Sequence, residues 1–245
     1  MKIIPKTPAD NEVYKKYYWP LLVREGFHPD IVFNELAIYI EVKYEGWTGG
    51  INSDREHFNP NKYKNQYRSY VKMITFEEWI AAGNDPRLYE RVAKHRPSSL
   101  IHEIHHYIHT TKYGRDGSST WLKLLDLIGE KPDFAPQNSG DYWWKTSYEV
   151  TSNYFESCLE LRKKDNKFLQ FVRDVCNIKL LRFKSNTTEY FANGVYKHSD
   201  EPTENKNGRI KVPLRTLAEE LEGVTVRKIE WLPDFEEAIF IGGDF

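Results

Sequence analysis

The stretch Ser98–His109, SSLIHEIHHYIH, places four histidines and one glutamate within eight positions. His102, Glu103 and His106 fit the pattern H-E-x-x-H. On an α-helix, positions i and i+4 project from one face, one turn apart. Two imidazoles so placed can bind one zinc ion at about 2.0–2.1 Å. Glu103 falls about 100° around the helix from His102. There it stands beside a metal rather than on it, as a general base. His105 and His109 share the i, i+4 spacing, but the residue after His105 is His106, so that register has no adjacent glutamate. It offers binding without chemistry, and the two are read as bystanders. The opposing reading is a polar helix whose histidines are solvated or satisfied by neighbours. Against it, Leu100, Ile101, Ile104 and Ile108 give the helix a buried stripe, and Pro97 with two serines caps its start.

Outward from this helix the chain reads as strands first, then helices, with a strand near the end. LAIYIEVKYE (36–45) alternates apolar and polar residues as a half-buried strand does, and YRSYVKMI reads as a second strand. A helix over 10–25 is interrupted at Pro20. FEEWIAAG is a short helix stopped by Gly83, and Asp85-Pro86 opens another. Ser119 starts TWLKLLDLIGE. After a loop at 131–141 come a helical pair, 145–163 and 166–177, and a short helix from Asn186. The polar stretch 199–208, SDEPTENKNG, is expected as a flexible loop. A helix from Pro213 to Glu222 and the strand VTVRKIEW follow. This order predicts an α+β fold: a single domain over 1–245, with a small N-terminal mixed sheet followed by a mainly helical part.

The 245 residues, 40% hydrophobic and 15% aromatic, are enough for a sizeable core. A formal net charge of −1 gives no global attraction to nucleic acid or an anionic membrane. No apolar run approaches the roughly 18 residues that span a bilayer, and MKIIPKTPAD lacks the apolar stretch of a secretory signal. A cytoplasmic location is expected, with a virion-associated one compatible. Cys158 and Cys176 form no pattern with each other or with histidine and are expected as reduced, buried thiols.

A catalytic zinc keeps three protein ligands and one open position. The metzincin spacing places a third histidine ten residues after the first, but Lys112 stands there. A glutamate from a later helix is the alternative. Glu149 shares a helix face with Asn153 and Glu156, a pattern that a solvated polar face explains equally well. Glu189 lies in SNTTEYFANGVYKHS, where Ala192 and Gly194 would thin a helix beside it; Asn186-x-x-Glu189 also fits a simple capping box. The residues alone leave the two at parity.

SNTTEYFANGVY resembles the glutamate segment of the anthrax-lethal-factor-like gluzincin peptidases, T/S-N-x-x-E-Y/F-F-A followed by a small residue and an aromatic. Ser185, Asn186, Glu189, Tyr190, Phe191 and Ala192 carry the match. With HEIHH, and with NGRI…LRTLAEEL beginning at Asn207, the resemblance extends unevenly over residues 98–222. It implies a zincin-like fold with a glutamate helix, His102, His106 and Glu189 as zinc ligands, and Glu103 as catalytic base. Residues 111–180 would then be an inserted helical layer. Two positions depart from the family: Arg182 stands where a tyrosine stabilises the oxyanion, and Asn193 where the residue is often acidic. Tyr142 lies seven residues before Glu149, and E-V-T-S-N-Y-F also resembles the E-x-x-A-N-x-F segment of the ImmA/IrrE-like regulatory peptidases.

The expected function is zinc-dependent hydrolysis of peptide bonds in a protein or peptide substrate, with Arg182, Tyr196, His198 and Tyr142 as candidate oxyanion stabilisers. The alternative is a catalytically inactive binding or assembly protein on a zincin scaffold, encoded by a phage or mobile element. A third class, nucleic-acid binding through NPNKYKNQYRSYVK (59–72), rests on Lys62, Lys64, Arg68 and Lys72 interleaved with Tyr63, Tyr67 and Tyr70. A strand with a solvated basic face explains that stretch more simply.

Overall fold

The computed structural model describes residues 2–4, 15–16, 19–32, 36–39, 49–52, 69–73, 80–81, 83, 85–87, 97–113, 118–129, 147–160, 165–207 and 209–243. In chain order these form β1 (Lys2–Ile4), α1 (Trp19–Arg24), α2 (Pro29–Val32), β2 (Leu36–Tyr39), β3 (Gly49–Asn52) and β4 (Ser69–Met73). Next come α3 (Pro97–Ile108), a π-helical turn (His109–Tyr113), α4 (Ser119–Ile128), α5 (Ser147–Leu159) and α6 (Asn166–Val175). The rest comprises β5 (Ile178–Lys184), β6 (Glu189–Ala192), β7 (Val195–His198), β8 (Glu204–Lys206), β9 (Arg209–Lys211), α7 (Leu214–Glu220), β10 (Val226–Leu232) and β11 (Glu237–Gly243). The fold is mixed α+β, as the order of patterns predicts. No helix among the described residues is long and apolar enough to cross a membrane.

The chain divides into two compact units. The first comprises Met1–Leu21 and Phe33–Lys164, the second Leu22–Val32 and Asp165–Phe245.

In the first unit a four-stranded mixed sheet has the order β1-β2-β4-β3, with β1, β2 and β4 parallel and β3 antiparallel at the edge. The α3 helix packs against β3 and β4, and α5 packs against both α3 and α4. Capping fixes α4: the Ser118 hydroxyl accepts from Trp121 N at 3.2 Å, and Gly129 ends the helix at φ 75°. That left-handed conformation suits glycine, which has no Cβ to clash. At Pro86, Asp85 accepts from the Arg87 amide at 2.9 Å, a local helix start.

The second unit is built on an antiparallel sheet of order β10-β11-β5-β6-β7. Successive strand residues point to opposite faces, and here both faces are covered. On one, Leu181, Phe183, Tyr190, Ala192, Ala238 and Phe240 form a core closed by Ile210, Val212, Leu217, Leu221 and Trp231. On the other lie Ile178, Leu180, Arg182, Phe191, Ile239 and Ile241, all buried. The 22–32 segment lies against this face: a Cβ added at Gly26 would meet Ile178 at 3.0 Å. Helix α6, capped by Asp165 through the Phe168 amide at 2.9 Å, packs on β5.

Two expectations are corrected here. The segment from Asn186 is not a glutamate helix: Glu189 opens strand β6, which turns back into β7. The turn is Asn193-Gly194, with φ 44° and 98° and Ala192 paired to Val195. A two-residue Asn-Gly loop with both φ positive is the turn that matches strand twist, and it overrides the capping-box match. The stretch 199–208 is likewise not a simple loop, since it supplies β8, which pairs antiparallel with β9. Residues 111–180, expected as an inserted helical layer, contain α4 and α5 in the first unit and α6 in the second. Cys158 and Cys176 are buried and free. The loop at 131–141 and most of 59–72 lie outside the described residues, Ser69–Lys72 forming part of β4.

Candidate metal centre

Ile101, Ile104 and Ile108 are fully buried, so the apolar stripe of α3 faces inward as its spacing requires. This orients the histidines toward α5. His102 lies beside Glu156, one turn from the pairing of His105 and His106 with Ser152, so the two helices run antiparallel along this seam.

The ring nitrogens are sorted by role. His102 Nε2 and His106 Nε2 are hydrogen-bonded at 3.0 Å, one donating and the other accepting as their tautomers set, with their rings edge to face at 84°. Two nitrogens on a tetrahedral zinc, each about 2.05 Å from it, would be roughly 3.3 Å apart. The outward nitrogens turn to α5. His106 Nδ1 meets Ser152 Oγ at 3.1 Å, and His102 Nδ1 lies 3.6 Å from Glu156 Oε2, longer than a hydrogen bond.

His105 is fully buried. Its Nδ1 reaches the same Ser152 Oγ at 3.0 Å and its Nε2 reaches Tyr113 Oη at 3.1 Å. The ring also packs over Phe155 at 4.9 Å. Burial, followed by the neighbouring histidines, holds its pKa well below the usual imidazole value, so it stays neutral. The π-helical turn at His109–Tyr113 carries Tyr113 into this contact. Such turns recur near functional sites. His109 is buried against the edges of Tyr113 and Trp121.

The fit to a metal is therefore partial and specific. His102 and His106 supply two converging nitrogen donors, each with its second nitrogen engaged by α5. Among the described residues no group of three or more His, Cys, Asp or Glu side chains is arranged to hold a metal ion. The backbones of Glu103 and Glu149 belong to α3 and α5, while their side chains lie outside the described residues.

The remaining candidates fall in the second unit or outside the description. Glu189 is exposed at the start of β6, opposite His198. Arg182 is buried in β5 and donates to Glu25, with its guanidinium 4.2 Å from the Phe191 ring centre. It is part of a core ion cluster. Tyr196 and His198 are exposed on β7, with Tyr196 set edge-on to Phe191. Tyr142 lies outside the described residues. Sequence reasoning misses Ser152 and Tyr113 altogether and sees Glu156 only as part of a polar face. The i, i+4 spacing of Ser152 and Glu156, matched to that of His102 and His106, is the signal that finds them.

No family model, no curated protein and no solved structure matches the chain.

Proposed function

We propose that this chain is a zinc-dependent peptidase in which His102 and His106 hold the metal and Glu103 is the general base. The observation that carries the reading is the sorting of ring nitrogens: two Nε2 atoms 3.0 Å apart, with each Nδ1 turned to a polar group of α5. A bound zinc supplies a Lewis acid and an acidified water. Glu103, beside His102 on the helix, takes a proton from the attacking water and returns it to the leaving amine. The substrate is a protein or peptide, and Tyr142 is the oxyanion candidate whose residue number falls in the unit that carries the histidines.

For the third ligand the fold favours Glu149 over Glu189. Glu149 shares a helix with Ser152 and Glu156, and that helix packs on α3. The helical setting that supported Glu189 is replaced by an exposed strand. Purified protein should take up about one zinc per chain; no uptake on addition overturns the reading. Glu149→Ala should weaken zinc binding and Glu189→Ala should not, and the reverse result returns the role to Glu189. Zinc binding without hydrolysis of any peptide library would favour a catalytically inactive scaffold.

A further inference from the structure

We propose that Ser152 and Glu156 are positioning residues for the histidine pair, and that His105 locks Ser152 in the orientation this requires. The inference rests on the zinc reading above and goes beyond it in assigning the groups that set the tautomers of the ligands.

A histidine that gives its Nε2 lone pair to a metal carries its proton on Nδ1. His106 Nδ1–H then meets an acceptor in Ser152 Oγ at 3.1 Å. A serine hydroxyl owns a single proton. With an N–H arriving from His106, that proton goes to the other nitrogen within reach, His105 Nδ1 at 3.0 Å. His105 must therefore be bare at Nδ1 and protonated at Nε2, where Tyr113 Oη accepts at 3.1 Å. The direction of the chain is fixed: His106 to Ser152, Ser152 to His105, His105 to Tyr113. His102 follows the same rule, with Nδ1–H toward the Glu156 carboxylate.

The alternative direction fails on the same count. If Ser152 donated to His106 Nδ1, the His106 proton would sit on Nε2, pointing at His102, and no lone pair would remain for a metal. Ser152 is fully buried. A helix-interior serine commonly bonds back to its own helix; here its oxygen meets two imidazoles from a neighbouring helix. Outer partners of this kind typically govern metal affinity through ring orientation and tautomer.

The test uses the full chain with zinc and cobalt as probes. Ser152→Ala and Glu156→Gln should each lower zinc affinity about 10- to 100-fold while still binding one ion. Ser152→Thr, which keeps the hydroxyl, should restore affinity and the wild-type cobalt absorption spectrum. Side-chain proton–nitrogen correlation spectra of zinc-loaded wild type, which need no substitution, should show His102 and His106 protonated at Nδ1 and His105 at Nε2. Unchanged affinity in both variants, or His105 protonated at Nδ1, overturns the proposal and leaves the zinc reading standing. Complete loss of zinc in Glu156→Gln would make Glu156 a ligand and overturn its positioning role. Wild-type protein that takes up neither metal overturns both.

Discussion

Each unit buries a polar cluster, and the two clusters are built on opposite principles. In the second unit Glu25 accepts from Arg173 at 3.1 Å and from Arg182, while Arg24 meets Glu237 through two contacts of 2.7 and 2.9 Å. Arg173 and Arg182 both lie over the Phe191 ring. Burial pushes the Arg173 pKa down to about 10 against the opposing pull of Glu25. One carboxylate thus serves two buried guanidiniums. In the first unit the cluster is made of imidazoles and hydroxyls, with His105 held neutral by burial, and it ends at the hydrogen-bonded Nε2 atoms of His102 and His106. The charged cluster is completed by protein alone. The histidine cluster ends instead in a nitrogen–nitrogen hydrogen bond between His102 and His106.

The comparison breaks if the histidine cluster proves to be only architecture. Glu103→Ala should keep zinc and lower peptide hydrolysis by about 10²- to 10⁴-fold; retained hydrolysis in a steady-state assay would remove the proposed base. The charged cluster should answer differently. Glu25→Gln leaves two buried cations with no carboxylate between them, so denaturant unfolding should show the second unit destabilised by about 3–5 kcal/mol. Zinc affinity should not change. A smaller effect belongs to the cap of α4: Ser118→Ala should cost the first unit about 1 kcal/mol in the same measurement. Smallest of all, breaking the exposed Arg215–Glu219 pair, 2.9 Å apart, should give no measurable change in stability, since solvent screens it.

What the sequence makes legible follows from how local each signal is. The i, i+4 spacing of His102 and His106 depends on helical geometry alone, and the start of α4, read at Ser119, lies within one residue of its Ser118 cap. The sheet of the second unit is harder because both its faces are covered. Strand β11 is buried along nearly its whole length, and β5 buries Arg182 beside Leu181 and Phe183. Period-two alternation, the usual strand signal, is lost there. The β6–β7 hairpin was readable from Asn193-Gly194, yet Asn186-x-x-Glu189 offers a competing helix start. Ser152 and Glu156 cannot be told from a solvated helix face until α3 lies against them.

The make-up of the second unit also has a consequence in time. Leu22–Val32 belongs with Asp165–Phe245, and Glu25 must wait for Arg173, 148 residues later. At synthesis rates of about 5–20 residues per second, that delay is roughly 7–30 s. Throughout it, Leu22, Val23 and Phe27, all fully buried in the finished fold, precede the rest of the unit they belong to. A C-terminal fragment beginning at Asp165 would lack the same eleven residues permanently, and with them the only carboxylate bonded to both Arg173 and Arg182 among the described residues.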